Sequence, residues 1–375
     1  MKQLLDCRVC RSALVEVIHD FKNVPIFLWP KSAKLNSKTR DDLTVFECTQ
    51  CSHIQIQNLS SNFLNRLYEG EYMNIASPNE NLVRAMNLKS LYSFNSKKVL
   101  DIGGATNPSS AYFKESNYSI LDPQIPIDSS VIHLKGFVSS FTLNQNYYDF
   151  IFGFHTIEHL EDPRSDLEIL RNSLTENGRL IIEVPNTNMV ALSSPYYLFF
   201  HQHINLFNEH TLLSLLNLSG FRLVNTLLAS ENILAVFEKE INNLNHDNII
   251  YASNELIKSR GLKYFKALED VLAQLIDQGK FSHVDFLGAG GSSTLFFYHC
   301  PRILKLVRNL YDSDKRKIGK LLPGTQKTIS TTPNSLKDNV IYLGFSRNMI
   351  EKFANHHKIN FIDISEVLLS LDSKI

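Results

Sequence analysis

The stretch Lys97-Lys98-Val99-Leu100-Asp101-Ile102-Gly103-Gly104-Ala105 decides the fold of this chain. Val99, Leu100 and Ile102 form a short apolar run that is typical of a buried parallel strand. Two glycines follow at once, where a chain that leaves a sheet must turn tightly and bring bare backbone close to a ligand. The stretch therefore predicts a strand that ends in a binding turn.

A second acidic residue lies at the distance that a nucleoside site requires. Asp101 closes the first strand, and Asp122 ends the next apolar run, Tyr118-Ser119-Ile120-Leu121, about 20 residues later. An acid at this place accepts hydrogen bonds from both ribose hydroxyls. The Gly-x-Gly-x-x-Gly fingerprint of a pyrophosphate site does not occur here. The pattern favours a ligand with a ribose and a positive charge but no phosphates, such as S-adenosylmethionine (SAM).

Length and charge limit the classes of protein. The chain has 375 residues, of which 43% are hydrophobic, so it is expected to form two or three domains. Lys+Arg and Asp+Glu both number 38, and the missing basic excess argues against a nucleic-acid partner. No apolar stretch approaches a membrane span, and the first residues do not resemble a signal peptide. We expect a cytoplasmic protein, and a monomer or weak dimer.

Four of the five cysteines predict a metal site. Cys7 and Cys10 form one Cys-x-x-Cys pair, and Cys48 and Cys51 form a second. Thiolates at this spacing converge on one tetrahedral Zn²⁺, and two such pairs complete a closed structural site. Two disulfides are the competing interpretation, and His19 and His53 are alternative ligands. The fifth cysteine, Cys300, is interpreted as a packed core thiol.

Alternating strands and helices from Lys97 to about Glu240 predict a doubly wound sheet with an antiparallel edge. A second strand, glycine turn and helix begin at Val284-Asp285-Phe286-Leu287-Gly288-Ala289-Gly290-Gly291, after a long helix expected over 250–278. We therefore divide the chain into a zinc-binding domain (1–62), an α/β core that carries the glycine turn (63–245) and a Rossmann-like C-terminal α/β domain (246–375).

Two histidine-rich segments follow predicted strands of the core. The first, Phe154-His155-Thr156-Ile157-Glu158-His159, faces the same crevice as the glycine turn, because ligands bind at the carboxyl ends of strands. Its residues are either a solvated helix entry with Asp162 as the N-cap, or a metal site made of His155, Glu158 and His159. The second segment, His201-Gln202-His203, offers either a general base or two structural histidines.

Three blocks together resemble one family, the zinc-containing, SAM-dependent C-methyltransferases that act on sugar nucleotides for antibiotics and surface polysaccharides. These blocks are the paired Cys-x-x-Cys motifs, the core with Glu158-His159-Leu160-Glu161-Asp162-Pro163, and the C-terminal segment Asp314 to Thr325. The resemblance covers nearly the whole chain. It implies a class I SAM methyltransferase core between a small zinc domain and a second Rossmann-like domain.

The resemblance also implies roles for single residues. SAM would be held by Asp101, Gly103, Gly104, Asp122 and Pro123, with His155 and Glu158 beside it. His203 lies at the position of the family's catalytic histidine, with His201 and Gln202 next to it, and Tyr72 matches an active-site tyrosine. Gln202 stands where the family has Glu, Asn74 stands in place of a second tyrosine, and the family's lysine is missing after Gly291. With Gln202 in that position, His203 is expected to act without a neighbouring carboxylate.

The implied function is methyl transfer from SAM to a nucleotide-linked sugar, at a carbon next to a ketone, with His203 as the base. The substitutions at Gln202 and Asn74 make O-methylation of a saccharide the first alternative. A second alternative is an NAD-dependent sugar oxidoreductase that uses the turn at Gly288, although its fingerprint is incomplete. A third is a binding module built on the zinc motifs.

Overall fold

The computed structural model forms two compact units. Their bounds are Met1–Ile18, Thr44–Met189 and His201–Ser253 for the first, and His19–Leu43, Val190–Phe200 and Asn254–Ile375 for the second. The predicted domain boundaries after residues 62 and 245 lie outside the described part of the chain, so the three-part division stays a prediction. The structure describes residues 6–26, 28, 40–57, 78–105, 109–126, 128–229, 231–240, 253–279, 283–332, 341–344 and 361–372.

The described residues form strands and helices throughout both units. The strands are β1 (Val15–Pro25), β2 (Arg40–Cys48), β3 (Ile54–Ile56), β4 (Lys98–Ile102), β5 (Asn117–Asp122), β6 (Ile132–Lys135), β7 (Tyr148–Phe154), β8 (Leu174–Pro185), β9 (Asn205–Leu206), β10 (Phe221–Ala229), β11 (Asn232–Lys239), β12 (Val284–Leu287), β13 (Val307–Asp312), β14 (Ile329–Thr331), β15 (Ile341–Gly344) and β16 (Phe361–Asp363). The α-helices are α1 (Pro78–Leu91), α2 (Pro163–Ser173), α3 (Thr187–Ser193), α4 (Glu209–Leu218), α5 (Glu255–Lys258), α6 (Phe265–Gln278), α7 (Gly291–His299), α8 (Pro301–Leu306) and α9 (Ile364–Asp372).

The first unit is built on a seven-stranded sheet in the order β10-β11-β8-β7-β4-β5-β6. β4 pairs in parallel with β5 and with β7, and the parallel region continues to β6 and β8. β8 and β11, and β11 and β10, pair antiparallel. The predicted doubly wound sheet with an antiparallel edge is confirmed, and it places the carboxyl ends of β4, β5 and β7 side by side.

Aromatic packing holds β4 and β7 in place. Phe94 packs against Phe113 and Phe150, with ring centroids 4.7 Å and 4.5 Å apart, and Phe113 also contacts Phe152 at 5.2 Å. All four side chains are buried. Burying aromatic side chains of this size supplies a large share of a core's stability, so the edge of the sheet that carries the site is rigidly supported.

The second unit contains a five-stranded parallel sheet in the order β14-β13-β12-β15-β16, as the predicted second α/β layer requires. The long helix expected over 250–278 is interrupted, because a π turn at Ser259–Lys263 separates α5 from α6. Within this unit Gly261 packs against the ring of Phe199. A Cβ at this position would lie 2.6 Å from that ring, so the close contact requires glycine.

None of the helices in the described ranges is both long enough and apolar enough to cross a membrane.

Candidate active site

A crevice lies at the carboxyl ends of β4, β5 and β7, the place where open α/β sheets bind ligands. It contains about 720 Å³ of space, part of which is open to solvent. Four of the predicted cofactor residues line its wall: Gly103, Asp122, Pro123 and His155.

The crevice also has walls that the sequence motifs did not indicate. Gly136, Phe137 and Val138 line it directly after β6, whereas His159 lines it after β7 as its segment was expected to do. The sequence signal for the first group is Gly136, which follows a short strand as Gly103 follows β4. The other predicted cofactor residues, Asp101, Gly104 and Glu158, do not line the crevice within the described part of the chain.

The glycine turn is specified by contacts that only glycine allows. Gly103 has φ +77°, in the left-handed region, and its N–H donates to the carbonyl of Leu121 at 2.9 Å. A Cβ on Gly104 would lie 2.3 Å from Oδ2 of Asp101. Asp101 is buried beneath the turn and accepts a hydrogen bond from the Tyr118 hydroxyl at 2.7 Å. Burial raises the pKa of Asp101 to about 7, although the hydrogen bond from Tyr118 opposes this shift.

Asp122 ends β5 with its carboxylate fixed by backbone donors. Oδ2 accepts from the N–H of Ala105 at 3.1 Å, and Oδ1 accepts from the N–H of Gln124 at 2.7 Å. Burial raises the pKa of Asp122, and the two N–H donors oppose that shift. A carboxylate oxygen can accept more than one hydrogen bond, so each retains the capacity that a ribose hydroxyl requires.

A line of alternating charges runs beneath the loop after β7. Arg84 donates to Glu183, and these two side chains are only 3% and 6% exposed. His155, at φ +51°, lies with Nε2 3.4 Å from Glu183 and Nδ1 3.4 Å from Glu158. Burial opposes a charge on His155, but the two carboxylates outweigh it and raise the pKa of His155 to about 9. His155 is therefore an imidazolium at neutral pH and bridges two buried carboxylates.

Glu158 is also the centre of a cluster with two neutral imidazoles. Its Oε1 lies 4.0 Å from Nε2 of His159 and 4.0 Å from Nε2 of His203. Burial lowers the pKa of His159, and it lowers the pKa of His203 to about 3. Burial by itself would raise the pKa of Glu158, but the surrounding imidazoles, with His155 foremost, outweigh it and lower that pKa. The cluster is an ionised carboxylate between two unprotonated rings.

One expectation about His203 is wrong. A carboxylate does lie beside it, because Glu158 reaches it from the loop after β7. Burial also lowers the pKa of His203, so its imidazole accepts a proton less readily than an exposed one. Gln202 contributes its backbone carbonyl, which accepts a hydrogen bond from Nδ1 of His159 at 2.7 Å, and the side chains of His201 and Gln202 are buried. The predicted active-site residue Tyr72 lies outside the described residues.

The four cysteines converge as predicted for one metal ion. The sulfur atoms of Cys7 and Cys51, and those of Cys10 and Cys48, lie 3.5 Å apart, and all four lie within 4.8 Å of one another. Tetrahedral Zn–S bonds of about 2.3 Å separate sulfur atoms by about 3.8 Å, whereas a disulfide requires about 2.05 Å. The arrangement fits Zn²⁺, and all four thiols are free.

The cysteine motifs are joined to the segment that carries His203. The Arg8 guanidinium donates to the carbonyls of Ile204 and Ile56, at 2.9 Å and 3.0 Å. β3 pairs antiparallel with β9, which begins two residues after His203. Asn205 connects Nε2 of His53, at 3.4 Å, with the carbonyl of Leu160. The cysteine motifs therefore support one wall of the candidate site.

The comparison with protein families identifies one domain of this chain. Residues 77–226 match the model of a family described as a methyltransferase domain. This segment contains both the glycine turn and the His203 segment. The central sheet and the crevice together form a class I SAM methyltransferase fold, and the matched segment is a methyltransferase domain.

Several solved structures resemble this core at a distance. A possible histamine N-methyltransferase from Thermotoga maritima shares 18% identity at a TM-score of 0.36, covering 42% of this chain and 89% of that chain. The CcbJ methyltransferase from Streptomyces caelestis shares 11% identity at a TM-score of 0.37, covering 47% and 96%. The 1,6-didemethyltoxoflavin-N1-methyltransferase from Burkholderia thailandensis, solved with S-adenosylhomocysteine, shares 16% at 0.32, covering 45% and 92%. These similarities are too distant to carry an inference about the substrate, and no curated protein matches the chain.

Proposed function

We propose that the protein transfers the methyl group of SAM to a small-molecule acceptor. The observation that carries this proposal is the crevice that Gly103 and Asp122 line together, inside a segment that matches a methyltransferase domain. SAM supplies a reactive methyl group on a positively charged sulfur. The contribution of the protein is to hold it in line with the acceptor and to take up the acceptor's proton or charge.

The cofactor residues have distinct roles in this proposal. The Asp122 carboxylate accepts hydrogen bonds from the ribose hydroxyls, and the backbone at Gly103 and Gly104 lies against the amino-acid portion. Pro123 and His155 complete the wall. Asp101 and Glu158 act from behind it, the first by shaping the turn and the second through the imidazoles that it contacts.

The acceptor that we propose is a nucleotide-linked sugar, methylated at a carbon next to a ketone. The sequence resemblance to sugar C-methyltransferases supports it. A second support is a repeated turn in the C-terminal unit, where the N–H of Ala289 donates to Oδ2 of Asp312 at 2.8 Å, as that of Ala105 donates to Asp122. A nucleoside-type turn of this kind suits a substrate that carries a nucleotide.

Methylation at carbon requires a group that removes a proton next to the ketone. His203 is the base that the sequence predicts, but a low pKa makes an isolated neutral imidazole a weak base. We therefore assign this role to Glu158, His159 and His203 as a unit. The side chain of His203 is 19% exposed and that of His159 is 11% exposed, so His203 has the more accessible imidazole.

O-methylation of a saccharide is the second candidate. Gln202 replaces the acid that the C-methyltransferase family carries, and the position is buried. A hydroxyl acceptor needs less help than a carbon, since its proton has only to leave as the new bond forms. Hydrogen exchange in deuterated solvent separates the two candidates. Methylation at carbon requires removal of the C–H proton next to the ketone, so that proton exchanges with solvent, whereas O-methylation leaves it in place.

Two experiments, one on cofactor binding and one on methyl transfer, test the proposed function one after the other. Calorimetry should show that SAM and S-adenosylhomocysteine bind the purified protein. Mass spectrometry of a panel of keto-sugar nucleotides should then show the gain of one methyl group, dependent on SAM. Binding of neither compound would refute the proposed function.

We further propose one structural Zn²⁺ on Cys7, Cys10, Cys48 and Cys51. The convergence of four sulfur atoms supports it. A metal contributes folding energy outright to a segment too small to bury a core of its own.

A further inference from the structure

We propose that Glu158, His159 and His203 bind one divalent transition-metal cation beside the crevice. One donor atom from each of the three side chains lies within 4.8 Å of the other two. Donor atoms that share one ion through bonds of about 2 Å lie roughly 3–4 Å apart, so small side-chain rotations close this set around a cation. The site is separate from the cysteines and differs from them in donor chemistry.

The carboxylate of Glu158 is the first argument. Its side chain is 2% exposed, and neither oxygen accepts a hydrogen bond within the described residues. The contacts to His155, His159 and His203, at 3.4 Å, 4.0 Å and 4.0 Å, are longer than good charge-assisted hydrogen bonds. The 4.0 Å separations mean that neither His159 nor His203 engages Oε1 of Glu158 directly, so this oxygen keeps a lone pair for a cation that the two imidazoles also face.

The orientation of His159 is the second argument. A carbonyl oxygen can only accept, so Nδ1 of His159 carries the proton in its hydrogen bond to Gln202 at 2.7 Å. In the neutral ring the lone pair then lies on Nε2, the atom that faces Glu158. Metal-binding histidines are commonly oriented in this way, with the far N–H held by a backbone carbonyl.

His203 completes the set beside His159. Its ring lies 4.9 Å from that of His159 at an interplanar angle of 73°, so the two imidazoles are neighbours with steeply inclined ring planes. The segment around it is held by the pairing of β3 with β9 and by Arg8. Partial exposure of His203 leaves an open side where a water molecule or an acceptor oxygen completes the coordination.

His155 is not part of this set, although the sequence suggested it as a ligand. Each of its ring nitrogens faces a carboxylate, Glu158 on one side and Glu183 on the other. It is an outer contact that orients Glu158, while Arg84 holds Glu183. His203 takes the place that the sequence assigned to His155.

Two imidazoles and one carboxylate favour zinc, cobalt, nickel, iron or manganese over magnesium or calcium. As a consequence that rests on the proposed function, a cation here would attract a hydroxyl or carbonyl oxygen of the acceptor and withdraw charge from it. The three side chains would then act on the acceptor's proton through a water molecule on the cation, in place of a free imidazole lone pair.

Cobalt titration of the zinc-loaded protein tests the site without SAM or acceptor. With zinc already on the cysteines, we expect about one further equivalent of Co²⁺, with weak visible bands and no thiolate-to-cobalt charge-transfer band. Glu158→Gln and His203→Gln should each weaken this binding by at least about tenfold, since each removes one ligand. His210→Gln, at an exposed histidine on α4, is the matched control and should bind as the parent does.

The outcomes of the cobalt titration can be told apart from those of the methyl-transfer assay. No uptake of Co²⁺ by the parent beyond exchange at the cysteines overturns the metal site, and so does unchanged binding in both variants. His203 is partly exposed, and an unchanged thermal unfolding temperature shows that His203→Gln is folded. Cobalt binding without any methyl transfer supports the metal site and counts against the proposed function. Methyl transfer without cobalt binding supports the proposed function and overturns the metal site.

Discussion

Arg8 donates its guanidinium N–H to the carbonyl oxygen of Ile204, the residue that follows His203. Arg8 itself follows Cys7, so a single side chain links the cysteine cluster to the segment that carries the candidate catalytic histidine. The cysteine motifs are thus part of the support of the candidate site.

Loss of the metal should therefore affect the site as well as stability. Cys48→Ser removes one of four thiolates, and we expect loss of about one equivalent of zinc and faster hydrogen exchange in residues 201–206. Metal analysis and exchange mass spectrometry measure the two effects. Cys300→Ser, at a buried thiol outside the cluster, is the control and should keep its zinc. A folded Cys48→Ser protein with no zinc and unchanged exchange would contradict this role.

Arg8→Met separates the anchor from the metal. It leaves four cysteines in place but removes two hydrogen bonds to buried carbonyls, at a cost of about 2–4 kcal/mol in unfolding free energy. We expect normal zinc content, lower stability in urea and slower methyl transfer. Transfer at the parent rate would show that the anchor does not position His203.

Asp122→Ala tests the ribose contact. Removing a charged acceptor for two hydroxyls should weaken SAM binding by about 2–4 kcal/mol, roughly 30- to 1000-fold. Calorimetry measures this loss, and Asp270→Ala, at a surface ion pair on α6, is a control for removal of an acid. Equal SAM affinity in the Asp122 variant and the parent would show that the ribose assignment is wrong.

His203→Ala tests the acceptor side. Loss of a group that handles the proton or charge of the acceptor typically costs roughly 10²–10⁴ in rate, so transfer should slow by that factor. SAM affinity should hold, because His203 does not line the described crevice. Steady-state kinetics with His210→Ala as the control check this, and an unchanged kcat would reduce His203 to a structural residue.

Asp166 gives the first half of α2 a pH-dependent stability. Burial, aided by the charges of Asp162 and Glu161, raises its pKa to about 7, against about 3.9 in the unfolded chain. The unfolded state loses this proton first as pH rises, so stability falls from about pH 4 to pH 7 and stays lower above it. Asp166→Asn removes this loss. Relative to the parent, its unfolding free energy should be higher at pH 8 than at pH 4.5 by on the order of 2 kcal/mol.

Urea titrations of both proteins at the two pH values measure this difference. A difference between variant and parent that does not change with pH would show that Asp166 ionises normally in the fold.

Local signals predicted much of the fold. β4 occupies Lys98–Ile102 and leads into Gly103, and β5 ends at Asp122, as the apolar runs and the two acids indicate. Asp162 is the N-cap of α2 and accepts from the N–H of Ser165, the structural role that was one of the two interpretations of its segment. These features depend on residues that are neighbours in the sequence.

The composition of the site depends on contacts between distant segments. Because Gln202 replaces an acid, the sequence indicated that His203 has no neighbouring carboxylate. Glu158 nevertheless lies beside His203, and nothing in the local sequence reveals this contact. His155 resembled a metal ligand by spacing, but Glu183 from β8 engages its second nitrogen. Phe137 and Val138 line the crevice because β6 is the outermost parallel strand, and a four-residue strand has too little pattern to be recognised.

Methyl transfer from isotope-labelled SAM tests the central claim most directly. The zinc-loaded protein is incubated with methyl-labelled SAM and a panel of keto- and hydroxy-sugar nucleotides, while S-adenosylhomocysteine is measured in parallel. We expect label in a sugar nucleotide, an equal amount of S-adenosylhomocysteine, and loss of both in Asp122→Ala. The contradicting result is a folded, zinc-loaded protein that binds neither SAM nor S-adenosylhomocysteine and releases no S-adenosylhomocysteine with any acceptor.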